Sequence, residues 1–122
     1  MSLDVYLVLP ESIACPHCGG SVPQPGKRHV FDSNVTHNLA PMAEEAGIYK
    51  ALWRPEEIGV KTAADLIPYL AAGLLVLRND PAHFGRFNPK NGWGSYEGFV
   101  PWVQSYLDAC REFPAAEIEV SR

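Results

Sequence analysis

Cysteine, basic side chains and long apolar runs are all scarce in this chain, and each scarcity closes off a class of function. Three cysteines in 122 residues are too few for a disulfide-stapled scaffold. Lys and Arg number 10 against 14 Asp and Glu, a formal charge of -4. Binding to a phosphate backbone needs clustered cations, and the only basic run is Lys27-Arg28-His29, so nucleic acid is not an expected partner. The longest apolar segment, Leu66 to Leu77, is too short to span a bilayer and contains Pro68 and Gly73. Met1-Ser2-Leu3-Asp4 lacks the basic start of a secretory signal, which makes a cytoplasmic setting the expectation and leaves the Asn34-Val35-Thr36 sequon unused. Repeats, low-complexity segments and linkers are missing as well, so residues 1–122 are expected to form one domain.

What the chain does have is material for a core: 47% hydrophobic residues, with 3 Trp and 5 Phe. Leu3, Val5, Leu7 and Leu9 alternate with Asp4, Tyr6, Val8 and Pro10, the period of a strand with one apolar face. A second extended run covers Arg28 to Val35, and the two can pair as a hairpin around a long proline-containing connection. A helical region begins near Asn38, read as its cap, breaks at Gly47 and ends at Arg54-Pro55, where Glu56 and Glu57 suit a short turn. Thr62 with Asp65 forms a capping box for a helix whose inner face is Leu66, Ile67, Leu70, Leu74 and Leu77. Asp80-Pro81 opens a single turn through Phe84, and 88–94 is loop. A last helix runs from Ser95 to about Phe113, burying Phe99, Val100, Val103, Leu107 and Cys110. Pro68 and Pro101 fall at the sixth position of their helices, where an interior proline bends the helix or shifts its start. Ile118 and Val120 alternate with Glu117, Glu119 and Ser121 as a third strand. The expected fold is α+β: a small three-stranded antiparallel or mixed sheet with about three main helices packed on one face.

Cys15-Pro16-His17-Cys18-Gly19-Gly20 carries local chemistry. Two thiols three residues apart, followed by glycines, can turn inward on one ion, making half of a tetrahedral metal site. The Cys-Pro-x-Cys-Gly pattern resembles the zinc knuckle of zinc-ribbon proteins, which carry a second cysteine pair. Here Cys110 lies on an apolar helical stripe and reads as a buried small hydrophobe. By sequence distance His29 is the better third ligand for a zinc ion held by Cys15 and Cys18, with His17, His37 or a water to complete the set and a knuckle loop over 10–27. The same four residues resemble the Cys-Pro-His-Cys site of thioredoxin-like oxidoreductases. Gly19-Gly20 and Pro23 oppose the helix that lowers the thiol pKa there, and no βαβ pattern precedes the motif.

Three segments mix aromatic, amide and guanidinium groups: Asn34-Val35-Thr36-His37-Asn38 at a strand-to-helix junction, Leu52-Trp53-Arg54-Pro55, and Asn91-Gly92-Trp93-Gly94-Ser95-Tyr96. Amides and imidazole offer directional hydrogen bonds, Trp53 or Trp93 can stack a planar group, and Arg54 can pair with a carboxylate or phosphate. Asn34, His37, Trp53, Arg54, Asn91 and Trp93 are therefore the candidate ligand-binding residues. The simpler reading of the first segment is Asn38 as cap, Thr36 supporting the turn and His37 packing locally. Neither a Ser-His-Asp order, a phosphate loop nor a pair of catalytic carboxylates can be assembled, and Gly92-x-Gly94-x-x-x-Gly98 lacks dinucleotide-fingerprint spacing.

The order Asn34-Val35-Thr36-His37-Asn38-Leu39, Ala46-Gly47-Ile48-Tyr49, Leu52-Trp53-Arg54-Pro55-Glu56, Asn91-Gly92-Trp93-Gly94 and Val120-Ser121-Arg122 resembles small uncharacterised proteins encoded by phages and prophages. The resemblance covers most of the chain from residue 34 onward and brings no activity with it. The expectation drawn from residues and resemblance together is a non-enzymatic ligand- or protein-binding factor. Its partner would be a host protein or a small polar or anionic ligand. The alternatives are a small enzyme using His37 as acid or base with Arg54 as anion anchor, and a zinc-organised adaptor.

Overall fold

The computed structural model describes residues 2–10 and 27–122. Three antiparallel strands, β1 (Ser2–Pro10), β2 (Lys27–Thr36) and β3 (Glu117–Ser121), form a sheet in the order β2-β1-β3. The most apolar strand lies at the centre because it alone has two neighbours to satisfy its backbone while Leu3, Val5 and Leu7 are fully buried on one face. A register shift between Leu7 and Val8 marks a bulge, since Leu7 pairs with Phe31 but Val8 with His29. At the other end of the hairpin Ser2 lies opposite Thr36 and Asp4 opposite Asn34, which places the polar end of β2 beside the start of the chain.

Five helices follow the hairpin: α1 (Ala40–Glu45), α2 (Tyr49–Trp53), α3 (Ala63–Asn79), α4 (Pro81–Gly85) and α5 (Tyr96–Glu112). The α+β architecture expected from the pattern is the one adopted, with α3 and α5, at 17 residues each, as the main helical pair. Leu66, Leu70, Leu74 and Leu77 of α3 meet Phe99, Val103, Tyr106, Leu107 and Cys110 of α5 in one core with Leu3, Val5 and Leu7. Ile67 and Val100, expected inside, are half-buried at its margin.

Local signals set the helix ends. The Thr62 hydroxyl accepts from the Asp65 backbone N–H while the Asp65 carboxylate accepts from the backbone N–H groups of Thr62 and Lys61. These bonds to Lys61 and Thr62 hold the Asp65 carboxyl below its usual pKa. Asp80 and Ser95 cap α4 and α5 in the same manner, accepting from the backbone N–H groups of His83 and Gly98. Both long helices run unbroken through Pro68 and Pro101. Each proline is exposed, as are Ala64 and Glu97 four residues earlier, so the carbonyl deprived of its N–H partner lies on the solvent side.

Asn38 does not cap the first helix. A 3₁₀ turn (His37–Leu39) precedes α1 and is capped by Thr36, whose hydroxyl accepts from the Asn38 backbone N–H at 3.3 Å, while the position before α1 is Leu39, which offers no side-chain cap. A second 3₁₀ turn (Pro55–Ile58) follows α2, as the Pro55-Glu56-Glu57 sequence anticipates. Arg122 closes the fold from the far end of the chain, donating to the Trp53 carbonyl at 2.8 Å and the Glu56 carboxylate at 2.7 Å.

Tyr106 is fully buried between Phe31 and Trp102, and its hydroxyl has no hydrogen-bond partner among the described residues. Burial pushes its pKa up, and burial likewise pushes the Cys110 thiol up to about 12. Tyr106→Phe removes an unsatisfied hydroxyl without changing the ring, so stability should rise by about 1–3 kcal/mol in urea unfolding. A tyrosine whose pKa is raised by folding contributes stability that is complete below the unfolded value and lost as pH rises beyond it. The variant should therefore also lose less stability than the parent between neutral pH and about pH 11. Equal or lower stability of the variant would mean the hydroxyl has a partner.

Candidate functional site

The hairpin end, the 3₁₀ turn after it and the loop before α5 converge on a cleft of about 770 Å³. It is lined by Ser2, Asn34, Thr36, His37, Asn38, Asn91 and Trp93. Among the described residues the lining contains three amides, two hydroxyls, one imidazole and one indole, and no Lys, Arg, Asp or Glu.

The wall formed by the loop is built from its own hydrogen bonds. The Asn91 side-chain oxygen accepts from the Trp93 backbone N–H at 3.0 Å, a local turn of the kind asparagine favours. Asn38 joins this wall to the hairpin side, its Nδ2 donating to the Asn91 Oδ1 at 3.4 Å and the Trp93 carbonyl at 3.5 Å. Behind the loop, the Tyr96 backbone N–H donates to the Asn88 side chain at 2.7 Å and the Tyr96 hydroxyl donates to the Leu77 carbonyl at 2.7 Å, tying the segment to α3. Trp93 is thus held at its backbone while the residue is 70% exposed. A large aromatic residue fixed at its base and left in water is unlike the other two tryptophans, which pack inward.

His37 is oriented from behind. Its Nδ1 accepts from the Trp53 indole N–H at 2.8 Å. Indole nitrogen can only donate, so in the neutral ring Nδ1 carries the lone pair and Nε2 carries the proton. Trp53 itself is buried, 2% exposed, with its ring stacked on Tyr49 at 5.5 Å. It does not line the cleft; it positions the residue that does.

Of the six residues singled out by sequence, Asn34, His37, Asn91 and Trp93 meet in one cleft, Trp53 supports it, and Arg54 lies elsewhere. The Arg54 guanidinium is engaged first by the Tyr49 side chain and then by the Glu57 carboxylate, 3.3 Å away; both contacts raise its pKa. Ser2, Thr36 and Asn38 complete the lining; the sequence pattern puts Thr36 and Asn38 in the 34–38 segment with turn and cap roles, and it does not single out Ser2. The pairing of Ser2 with Thr36 was implicit in the hairpin, whereas the reach of Asn38 to loop 91–93 is tertiary and had no local signal.

Cys15 and Cys18 lie outside the described residues. His29, the third ligand proposed for them, sits on β2 with its ring stacked on Tyr6 at 5.1 Å. Among the described residues no group of three or more His, Cys, Asp or Glu side chains is assembled for a metal, and no helix is long and apolar enough to cross a membrane. Comparison with protein-family models, with curated proteins and with solved structures gave no match.

Proposed function

We propose that this protein is a non-enzymatic binding protein that holds a small polar ligand in the cleft between the hairpin end and loop 91–93. The observation that carries the proposal is convergence: Asn34, His37, Asn91 and Trp93, from two chain segments far apart in sequence, surround one cavity of ligand size. Their side chains retain unused hydrogen-bonding capacity. Among the described residues no partner is taken by the Asn34 amide, the Asn91 Nδ2, the Asn38 Oδ1 or the His37 Nε2–H.

The state of His37 favours binding over turnover. A general base must offer a lone pair to its substrate, and the only lone pair of neutral His37 is taken by Trp53. With Arg54 bound to Glu57 away from the cleft, the two-residue catalytic alternative loses its anion anchor as well. The reading does not depend on Cys15 or Cys18. Joined to the resemblance to phage and prophage proteins, it extends to a factor that sequesters its ligand within a host.

A library of small polar fragments, titrated into isotope-labelled protein and followed by NMR, tests the proposal. Saturable shifts should cluster on Asn34, His37, Asn38, Asn91 and Trp93 and vanish in Asn34→Ala/Trp93→Ala. Hits confined to other surfaces, or unaffected by that double variant, would overturn it.

A further inference from the structure

Resting on the cleft as a ligand site, we infer that the ligand is a neutral carbohydrate, with Trp93 as the platform beneath a sugar ring. Charge decides the first step. A carboxylate or phosphate entering the cleft would leave water without meeting a side-chain cation among the described residues, because none of the described lining side chains carries one and Arg54 is committed to Glu57. A cationic ligand is disfavoured likewise: the described lining holds no carboxylate, and Asp4, paired opposite Asn34, is not part of it.

Hydrogen-bonding character decides the second step. Groups of both kinds without a partner among the described residues are present: donors at His37 Nε2 and Asn91 Nδ2, an acceptor at Asn38 Oδ1, and both in the Asn34 amide. A sugar hydroxyl also donates and accepts, so neighbouring hydroxyls can each close two bonds on such a set.

Stacking geometry decides the third. A nucleobase has two apolar faces and one polar edge, and it is bound best between two aromatic or apolar surfaces. Among the described lining residues Trp93 is the only aromatic one besides His37, whose ring is tied to Trp53, and the rest of that wall is amide and hydroxyl. A pyranose fits that asymmetry: its ring C–H groups make one apolar face for the indole, and its hydroxyls radiate outward to the polar walls.

The test is a three-part panel titrated at millimolar concentration into isotope-labelled full-length protein: neutral mono- and disaccharides, nucleosides, and sugar phosphates. The readouts are the Trp93 indole N–H and the side-chain amides of Asn34, Asn38 and Asn91. At least one neutral saccharide should shift these signals saturably, Trp93→Ala should weaken it about tenfold or more, and Trp93→Phe should restore most of the affinity. Shifts of the same signals by nucleosides or sugar phosphates and not by neutral saccharides would overturn the carbohydrate assignment while leaving the cleft as a binding site. No response to any member of the panel would overturn the assignment as well. Saturable binding that maps away from the cleft would overturn both readings.

Discussion

Trp53→Ala should cost about 3–5 kcal/mol of folding stability and abolish ligand binding in whatever fraction stays folded. The indole is buried, stacks on Tyr49 and lies in the same core as Leu52 and Val60, so truncation leaves a cavity that the short helix α2 is poorly placed to fill. Its backbone carbonyl receives Arg122, so any shift of α2 also strains the C-terminal clamp that depresses the pKa of Glu56. Trp53→Phe divides the two roles. It retains an aromatic ring for the core and removes the N–H given to His37 together with part of the indole's volume, so the expected loss falls to about 1–3 kcal/mol. With Nδ1 released, His37 can exchange between tautomers and no longer offers Nε2–H alone to the cleft. Ring nitrogen shifts should therefore report an Nε2–H imidazole in the parent and a mixture in Trp53→Phe, alongside weaker binding. A parent His37 protonated at Nδ1 while neutral would remove the argument from orientation.

The parts of this fold that could be read from sequence are those whose cause is local. Thr62 with Asp65, Asp80 with Pro81, and Ser95 each stop the chain before a helix by a bond reaching three residues forward, and all three occur where the pattern places them. The alternation of Leu3, Val5 and Leu7 likewise marks a strand without help from elsewhere. Asn38 misled because a 3₁₀ turn capped by Thr36 precedes α1, which places Asn38 inside that turn with its amide reaching Asn91 and Trp93 across the cleft. Arg54 misled in another way. Adjacent to Trp53 in sequence, it sits at the end of α2, where one residue of rotation separates a ring in the core from a guanidinium among Tyr49 and Glu57. Half-polar segments such as 34–38 and 91–94 announce a surface with unused hydrogen bonds, but which of them face one another is fixed by packing that no short window contains.

Gly94→Ala should lower stability by about 2–4 kcal/mol and weaken the site beyond what unfolding explains. Gly94 has φ +96, a conformation that side chains with a Cβ adopt at a cost. An added Cβ would also stand 2.7 Å from the Thr36 methyl and 3.0 Å from the Leu39 Cγ. Neither neighbour can yield freely: Thr36 is fixed by its capping bond, and Leu39 is 3% exposed in the core. Relief must come from the loop, which carries Trp93 away from Asn38 and breaks the long bonds that close the cleft wall. Gly92→Ala supplies the control. Its φ is +78 but nothing lies within 4 Å of the added Cβ, so only the conformational penalty of about 1 kcal/mol applies. Urea unfolding of the two variants isolates the contact as their difference, and binding measured on the folded fraction shows whether loop position or loop chemistry holds the ligand. Equal losses for the two substitutions would mean that the loop does not bear on Thr36 and Leu39, and the wall that presents Trp93 would lose its physical basis.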